Sequence, residues 1–217
     1  MRFTAYAFSA FVLLISAMRA YSADGTNPAF SRDHATAIIG NWRKIVSLRG
    51  IDERLEIPVG GTQQWISVRG RDSRNPIILM IHGGPASPEM QTSWTWQSDW
   101  EDYFTVVQWD QRGSGKSYVA NDPATIGPTL SLKQISADAA EVVQYLRGKY
   151  GKTKIFVIGH SWGSLVGLTL AHEHPEWLYA YIGMGQVISG KENERVGYQL
   201  TLKLAEAQNN AAAVAEL

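Results

Sequence analysis

Residues 154–164 constrain the fold more than any other part of the chain. Lys154-Ile155-Phe156-Val157-Ile158 is a short apolar run that predicts a buried strand. It meets Gly159-His160-Ser161-Trp162-Gly163-Ser164 directly. Beyond it, Leu165, Val166, Leu168, Leu170 and Ala171 recur at the spacing of the buried side of a helix. A strand that turns straight into a helix forces the apex residue into a strained backbone. Glycines two positions to either side leave room for the strand and helix to approach. This geometry would hold the Ser161 hydroxyl out in a cleft. It would also aim the Trp162 backbone N–H, at the positive end of the helix, at whatever that hydroxyl attacks. Three fixed positions of such common residues recur by chance in about one chain in fifteen of this length. The pattern therefore counts only with its flanking elements and with two motifs upstream.

Those motifs end two other strands. Ile77 to Ile81 is continuously apolar, as in a strand buried on both faces, and runs into His82-Gly83-Gly84-Pro85. Phe104 to Trp109 is the next strand and runs into Asp110-Gln111-Arg112-Gly113-Ser114-Gly115-Lys116-Ser117. Before them, Leu55–Val59 and Gln64–Val68 alternate around Gly60-Gly61, which predicts a β-hairpin at a sheet edge. Glu89 to Tyr103 reads as a Trp-rich helix, and Asn121 to Thr129 as a loop. Ser131 reads as an N-cap with Gln134 completing a capping box. The helix that follows carries Leu132, Ile135, Ala139, Val142 and Leu146 on one face and closes at Gly148 and Gly151. Leu178 to Met184 is a further apolar strand, and Lys191 to Leu217 a polar helix. Strands alternating with helices predict an α/β fold, a mostly parallel sheet with helices on both faces. All three motifs lie at carboxyl ends of strands, where such sheets bind ligands.

Formal charge is zero, with 20 basic and 20 acidic residues, and no basic stripe points to nucleic acid. The chain has no cysteine, which excludes disulfides, thiolate metal sites and a cysteine nucleophile. Arg2, the apolar stretch Ala5–Ala17 and the small residues Ala20, Ser22 and Ala23 have the layout of a secretory signal peptide over residues 1–23. The alternative is an uncleaved anchor; the run is short for a membrane span, and no other segment could cross one. A periplasmic or secreted protein without stable membrane insertion is expected. Residues 24–50 read as a linker with a short helix over Ala35–Val46, and 51–185 as the core.

Taken together and in this order, the three motifs resemble the α/β-hydrolase fold and, more narrowly, the proline iminopeptidase (prolyl aminopeptidase) family, over roughly Leu55 to Met184. Where that family usually has a glycine after the proline of its first motif, this chain has Ala86. The resemblance implies Ser161 as nucleophile, with the backbone N–H groups of Gly84 and Trp162 as the oxyanion hole. It implies cap carboxylates that hold a substrate's free amine, for which Glu192 and Glu194 are the candidates, solvated helix charges being the alternative. Trp94, Trp96 and Trp100 are placed either around a proline-ring pocket or in the core. Asp110 and Arg112 are expected to brace the loop beside the site as a charged pair. Gly115-Lys116-Ser117 is not a phosphate loop, because that motif needs a glycine where Asp110 stands. His160 is expected to pack or hydrogen-bond rather than act as the base, and His172 and His174 to lie on the surface.

The same resemblance implies an acid and then a histidine after later strands. The last histidine here is His174, and no strand is visible beyond Met184. Residues 186–217 therefore read as the start of a helical cap, and the chain as a fragment, inactive alone. The alternative is a complete protein that binds without catalysing. The expected activity of the whole is a serine hydrolase, an aminopeptidase releasing proline or another N-terminal residue through an acyl-enzyme. An esterase of the same fold, or a binding protein, is the alternative. The substrate is a small peptide or ester; no metal or organic cofactor is implied, and oligomeric state is not legible.

Overall fold

The structure, a computed structural model, describes residues 31–217; the expected signal peptide at 1–23 lies outside them. The chain divides into two compact units at Lys44/Ile45. In the first, α1 (Arg32–Trp42) starts where the Ser31 hydroxyl accepts the His34 N–H at 3.1 Å, so the expected helix begins three residues early. None of its residues is buried.

The second unit runs β1 (Ile51–Val59), β2 (Thr62–Gly70), β3 (Ile77–Ile81), β4 (Thr105–Asp110), α2 (Gly115–Val119), α3 (Pro123–Ile126), α4 (Leu132–Lys149), β5 (Ile155–His160), α5 (Gly163–Glu173), β6 (Leu178–Met184), α6 (Gly190–Ala207) and α7 (Ala211–Glu216). The strands form one sheet in the order β1-β2-β4-β3-β5-β6. The β1–β2 and β2–β4 pairings are antiparallel, and the rest are parallel. The hairpin turns through Gly60 and Gly61 at φ 54° and 75°, a two-residue turn whose positive φ values only glycine adopts without strain. From β3 the chain steps outward to β4, and from β5 it steps the other way to β6. The reversal leaves a crevice between the carboxyl ends of β3 and β5, where doubly wound sheets bind ligands.

Strand β3 shows why its sequence is uninterruptedly apolar. Ile77, Leu79 and Ile81 join the core under α4 and α5, while Ile78 and Met80 join a second cluster with Val106 and Ile158 on the opposite face. Helix α4 buries Ile135, Ala139, Val142, Val143 and Leu146. Each such large aliphatic side chain stabilises the fold by about 1.5–3 kcal/mol when it leaves water. Leu132 and Leu168, expected on buried faces, are 41% and 49% exposed.

Other expectations are corrected. Glu89–Tyr103 is not an α-helix but two 3₁₀ stretches, Ser93–Thr95 and Gln97–Asp102. Its buried groups are Ser93, Gln97 and Glu101, which bond locally and to β4 rather than forming an apolar helical stripe. The expected loop at 121–129 contains α3, capped by the Asp122 carboxylate on the Ala124 N–H. Ser131 caps α4 as expected, but the Gln134 amide turns to Asp138 instead of completing the box. Gly148 sits inside α4; Gly151, at φ 61°, lies two residues beyond its end, after Tyr150. The C-terminal helix breaks at Asn209, which takes φ 50° and lets Asn210 cap α7. Strand β6 is an edge, with Tyr179, Ile182 and Met184 exposed.

Candidate active site

Ser161 stands at the junction of β5 and α5 with φ 51°, a left-handed value that costs a side chain roughly 1–2 kcal/mol. The junction overdetermines it. The Ser161 N–H donates to Met184 O at 2.8 Å, and Ser161 O accepts from the N–H of Ser164 at 2.9 Å and from its hydroxyl at 2.5 Å. Both flanking glycines are sterically required. A Cβ at Gly159 would meet Gly163 O at 2.6 Å, and one at Gly163 would collide with the Ile81 and His82 carbonyls. The strain is thus held by contacts on every side except the hydroxyl's, which is exposed.

The glycine loop after β3 packs against this turn. A Cβ at Gly83 would lie 2.8 Å from His160 O and 2.9 Å from the Ser161 Cβ. Gly84 has φ 112°, the Gly84–Pro85 peptide is cis, and Ala86 has φ 63°. The positive φ at Ala86 accounts for a glycine being favoured there. The backbone N–H groups of Gly84 and Trp162 have no partner among the described residues. Gly84, Ser161 and Trp162 line one cleft of about 870 Å³.

His82 fastens the loop from behind. Its Nδ1 lies 3.0 Å from Gly83 O and its Nε2 3.1 Å from Ser114 Oγ, and the ring is buried. Nδ1 carries the proton in this arrangement, since Gly83 O can only accept. The Gln111 amide donates to His82 O at 2.9 Å, and the Gln111 N–H approaches Nε2 at 3.4 Å. Burial holds the His82 pKa below its ordinary value, which keeps the ring neutral; the Gly83 carbonyl and the Glu89 charge oppose this less strongly.

Asp110 and Arg112 do not pair with each other, contrary to expectation. Arg112 donates twice to Asp138 on α4, at 2.8 and 2.9 Å, and also to Gly60 O and Thr129 Oγ1. Gln64 and Gln134 donate to the same carboxylate, which is fully buried. Asp110 instead accepts the Lys116 N–H at 2.7 Å at the start of α2. Burial raises its pKa, and its second oxygen is buried without a hydrogen bond. The sequence reading missed Asp138, Gln111 and Ser114. A charged residue on the same helix face as the buried Ile135, Ala139 and Val142, as at 138, was the available signal.

The opposite wall of the cleft is the segment after β6. Ser164 Oγ accepts the Val187 N–H at 2.9 Å, and Tyr181 Oη lies 2.9 Å from Ser164 O and 2.5 Å from Gln186 Oε1. Gly185 to Gly190, Glu192, Glu194 and Val196 continue the wall. Glu192 is committed: Arg195 donates to it from Nε at 2.8 Å and from Nη2, and this hydrogen bonding holds its pKa below the usual carboxylate value. Glu194 makes no hydrogen bond or ion pair among the described residues. Trp94 is not among the residues lining the cleft, a correction to its expected place. Trp96 and Trp100, in edge contact, border a separate hollow of about 480 Å³ with Glu89 and His160.

Among the described residues no histidine ring bonds Ser161. His160 Nδ1 pairs with Glu89 Oε1 at 3.1 Å, His174 stacks on Trp177, and His172 lies in the last turn of α5. Among them, too, no group of three or more His, Cys, Asp or Glu is arranged to hold a metal. No described helix is long and apolar enough to cross a membrane.

This strand order and this turn coincide with a family model described as the alpha/beta hydrolase fold, which matches residues 76–215. The chain belongs to the α/β-hydrolase family. This α/β-hydrolase chain is 35% identical over 153 residues to a probable aminopeptidase of Bacillus subtilis, covering 70% of this chain and 47% of that protein. It is 29% identical over 122 residues to epoxide hydrolase B of Mycobacterium tuberculosis, covering 55% and 31%. It also resembles the proline iminopeptidase of Lactobacillus helveticus, at 25% over 128 residues, 58% and 41% of the two chains. Among solved structures, a proline iminopeptidase-related protein of Thermus thermophilus shares the fold with a TM-score of 0.51 at 22% identity, over 61% of this chain and 44% of the other. The chain thus spans less than half the length of each of these relatives.

Proposed function

We propose that this chain carries the nucleophile and oxyanion hole of a serine hydrolase, an aminopeptidase that releases proline or another N-terminal residue from small peptides. The supporting observation is Ser161 at φ 51°, opening on the same cleft as Gly84 and Trp162. In this reading Ser161 Oγ attacks the scissile carbonyl carbon. The carbonyl oxygen takes the negative charge and accepts from the Gly84 and Trp162 N–H groups. The tetrahedral species expels the peptide amine, leaving an acyl-serine that water hydrolyses. Ser161's proton must pass to a base and on to the leaving amine, and none of the described histidines is placed to take it. Turnover by the 217-residue chain itself is therefore expected near background, with its chemistry read by stoichiometric labelling.

The peptidase reading draws on the aminopeptidase relatives and on the cleft wall. Trp162, Leu165 and Val187 offer an apolar seat beside Ser161, and Glu194 offers a carboxylate with no partner among the described residues, suited to a substrate ammonium. Glu192, neutralised by Arg195, is the poorer candidate. Epoxide chemistry fits this turn badly: a serine hydroxyl opening an epoxide would leave an ether, which water does not cleave, where an acyl-serine is an ester. An esterase remains the second reading, since the turn and its donors serve either acyl group. The leader-like residues 1–23 support export to the periplasm or medium.

A fluorophosphonate probe tests the mechanism. The expected adduct lies on Ser161 and disappears in Ser161→Ala; an adduct elsewhere, or one that survives that change, would refute it. A fluorogenic proline amide set against a short-chain ester, with the longest form of the protein that turns over, separates the peptidase from the esterase.

A further inference from the structure

We infer that Gln111 and Ser114 are positioning residues that hold the oxyanion loop in place through His82. The inference rests on the serine-hydrolase reading and adds to it a cause for the loop's geometry. The loop after β4 grips the loop after β3 at two points. The Gln111 amide donates to His82 O at 2.9 Å, and Ser114 Oγ lies 3.1 Å from His82 Nε2 and 2.8 Å from Gln111 O, so that with the ring proton on Nδ1 its one hydroxyl proton is shared between those two acceptors. His82 Nδ1 then holds Gly83 O at 3.0 Å. Gly83 is the residue packed on Ser161, and Gly84 follows it in the lining of the same cleft.

Gln111, Ser114 and His82 are all at least 96% buried. Water therefore cannot replace a lost partner, and an unpaired His82 carbonyl or ring nitrogen would shift the loop to find one. The grip is itself anchored, because Arg112, between the two gripping residues, is fixed by the Asp138 ion pair. Oxyanion donors work because they are placed before charge develops, so a displacement of a few tenths of an ångström weakens charge stabilisation while leaving the apolar seat intact.

The test is the affinity of the full chain for phenylboronic acid, whose tetrahedral serine adduct places an anionic oxygen in the hole. Boron-11 NMR reports the adduct, and circular dichroism reports folding. Gln111→Met, which keeps the volume and loses the amide, and Ser114→Ala should each weaken the adduct about tenfold while retaining a cooperative melt. Ser114→Thr, which keeps the hydroxyl, should restore it to within about twofold. Folded Gln111→Met and Ser114→Ala proteins with undiminished affinity would overturn the inference, with the serine reading intact provided Ser161→Ala abolishes the adduct. If Gln111→Met fails to melt cooperatively, the Ser114 pair decides, and equal weakening in Ser114→Ala and Ser114→Thr counts against the relay. An adduct unaffected by Ser161→Ala would overturn the hydrolase reading and the relay with it.

Discussion

The cleft has two walls built on different principles. One, the glycine loop after β3, is joined to the body by buried polar groups: His82, Gln111, Ser114 and, behind them, the Arg112–Asp138 pair. The other, residues 185–196 and the rest of α6, touches the body through Ser164, Tyr181 and Gln186, and α6 buries only Ala205. The first wall carries groups that would stabilise developing charge, and such groups act only if their positions are fixed in advance. The second carries groups that would meet the substrate's variable end, where lower local stability is tolerated and useful. On the proposed serine-hydrolase function, the contrast would put chemistry on the rigid wall and selection on the loose one.

The largest expected effect lies behind the rigid wall. Asp138→Ala leaves the Arg112 guanidinium, 4% exposed as a residue, without its carboxylate and strips partners from Gln64 and Gln134. Breaking one side of a buried pair costs about 3–5 kcal/mol. Urea unfolding should show this loss, whereas Glu192→Ala, which breaks an exposed pair on α6, should leave the midpoint unmoved. Equal effects at the two sites would erase the contrast.

A smaller effect is expected where the walls meet. Ser164 is fully buried and bridges Ser161 O and the Val187 N–H. Ser164→Ala leaves the half-buried Val187 N–H without its partner, while Ser161 O keeps the Ser164 N–H, at a cost of about 1 kcal/mol in unfolding free energy. Faster amide exchange at Val187 should accompany it, with the glycine loop unchanged. Exchange that rises equally in both segments would show that the walls are one cooperative unit.

Acid should loosen the rigid wall. Burial depresses the His82 pKa below 6.5, so the unfolded chain protonates before the folded one as pH falls. The unfolded state then holds more protons, and stability falls with pH. The contribution is fully present above about 6.5 and is lost as pH drops from there toward the depressed folded value. Asp110 acts with the opposite sign in more acidic solution, because its folded pKa is raised above 3.8. Urea midpoints taken between neutral and mildly acid pH should therefore slope in the parent and flatten in His82→Asn, which leaves Asp110 in place. An unchanged slope in that variant would move the titration elsewhere.

Legibility in the sequence followed the range of the interactions. Strands β3 and β5 were plain because burial on both faces leaves an unbroken apolar run, and the Ser161 turn was plain because its two glycines stand at fixed spacing around the serine, although Gly163 answers to the distant Ile81 and His82 carbonyls. Arg112 was read as paired with its neighbour Asp110, yet its partner stands 26 residues on. No local pattern encodes such a pairing, nor the 29-residue step from His82 to Gln111. The Glu89–Tyr103 stretch was misread because its three tryptophans imitate an apolar face, while the buried groups are the polar Gln97 and Glu101.

Ala86 gives the smallest effect and the finest test of the rigid wall. Its φ of 63° is imposed by a loop closed by the Ser87 N–H on Gly83 O at 3.1 Å. A left-handed alanine costs roughly 1–2 kcal/mol relative to glycine. Glycine in turn gives back roughly 0.5–1 kcal/mol through the greater freedom of its unfolded chain. Ala86→Gly should therefore raise stability by up to about 1 kcal/mol, seen as a higher urea midpoint at constant slope. Fluorophosphonate labelling of Ser161 should not slow, because His82 and its partners, rather than the residue at 86, fix the donors. Slower labelling in a more stable protein would mean that the strain at Ala86 itself helps to aim the Gly84 N–H. The rigid wall would then owe its geometry to two devices instead of one.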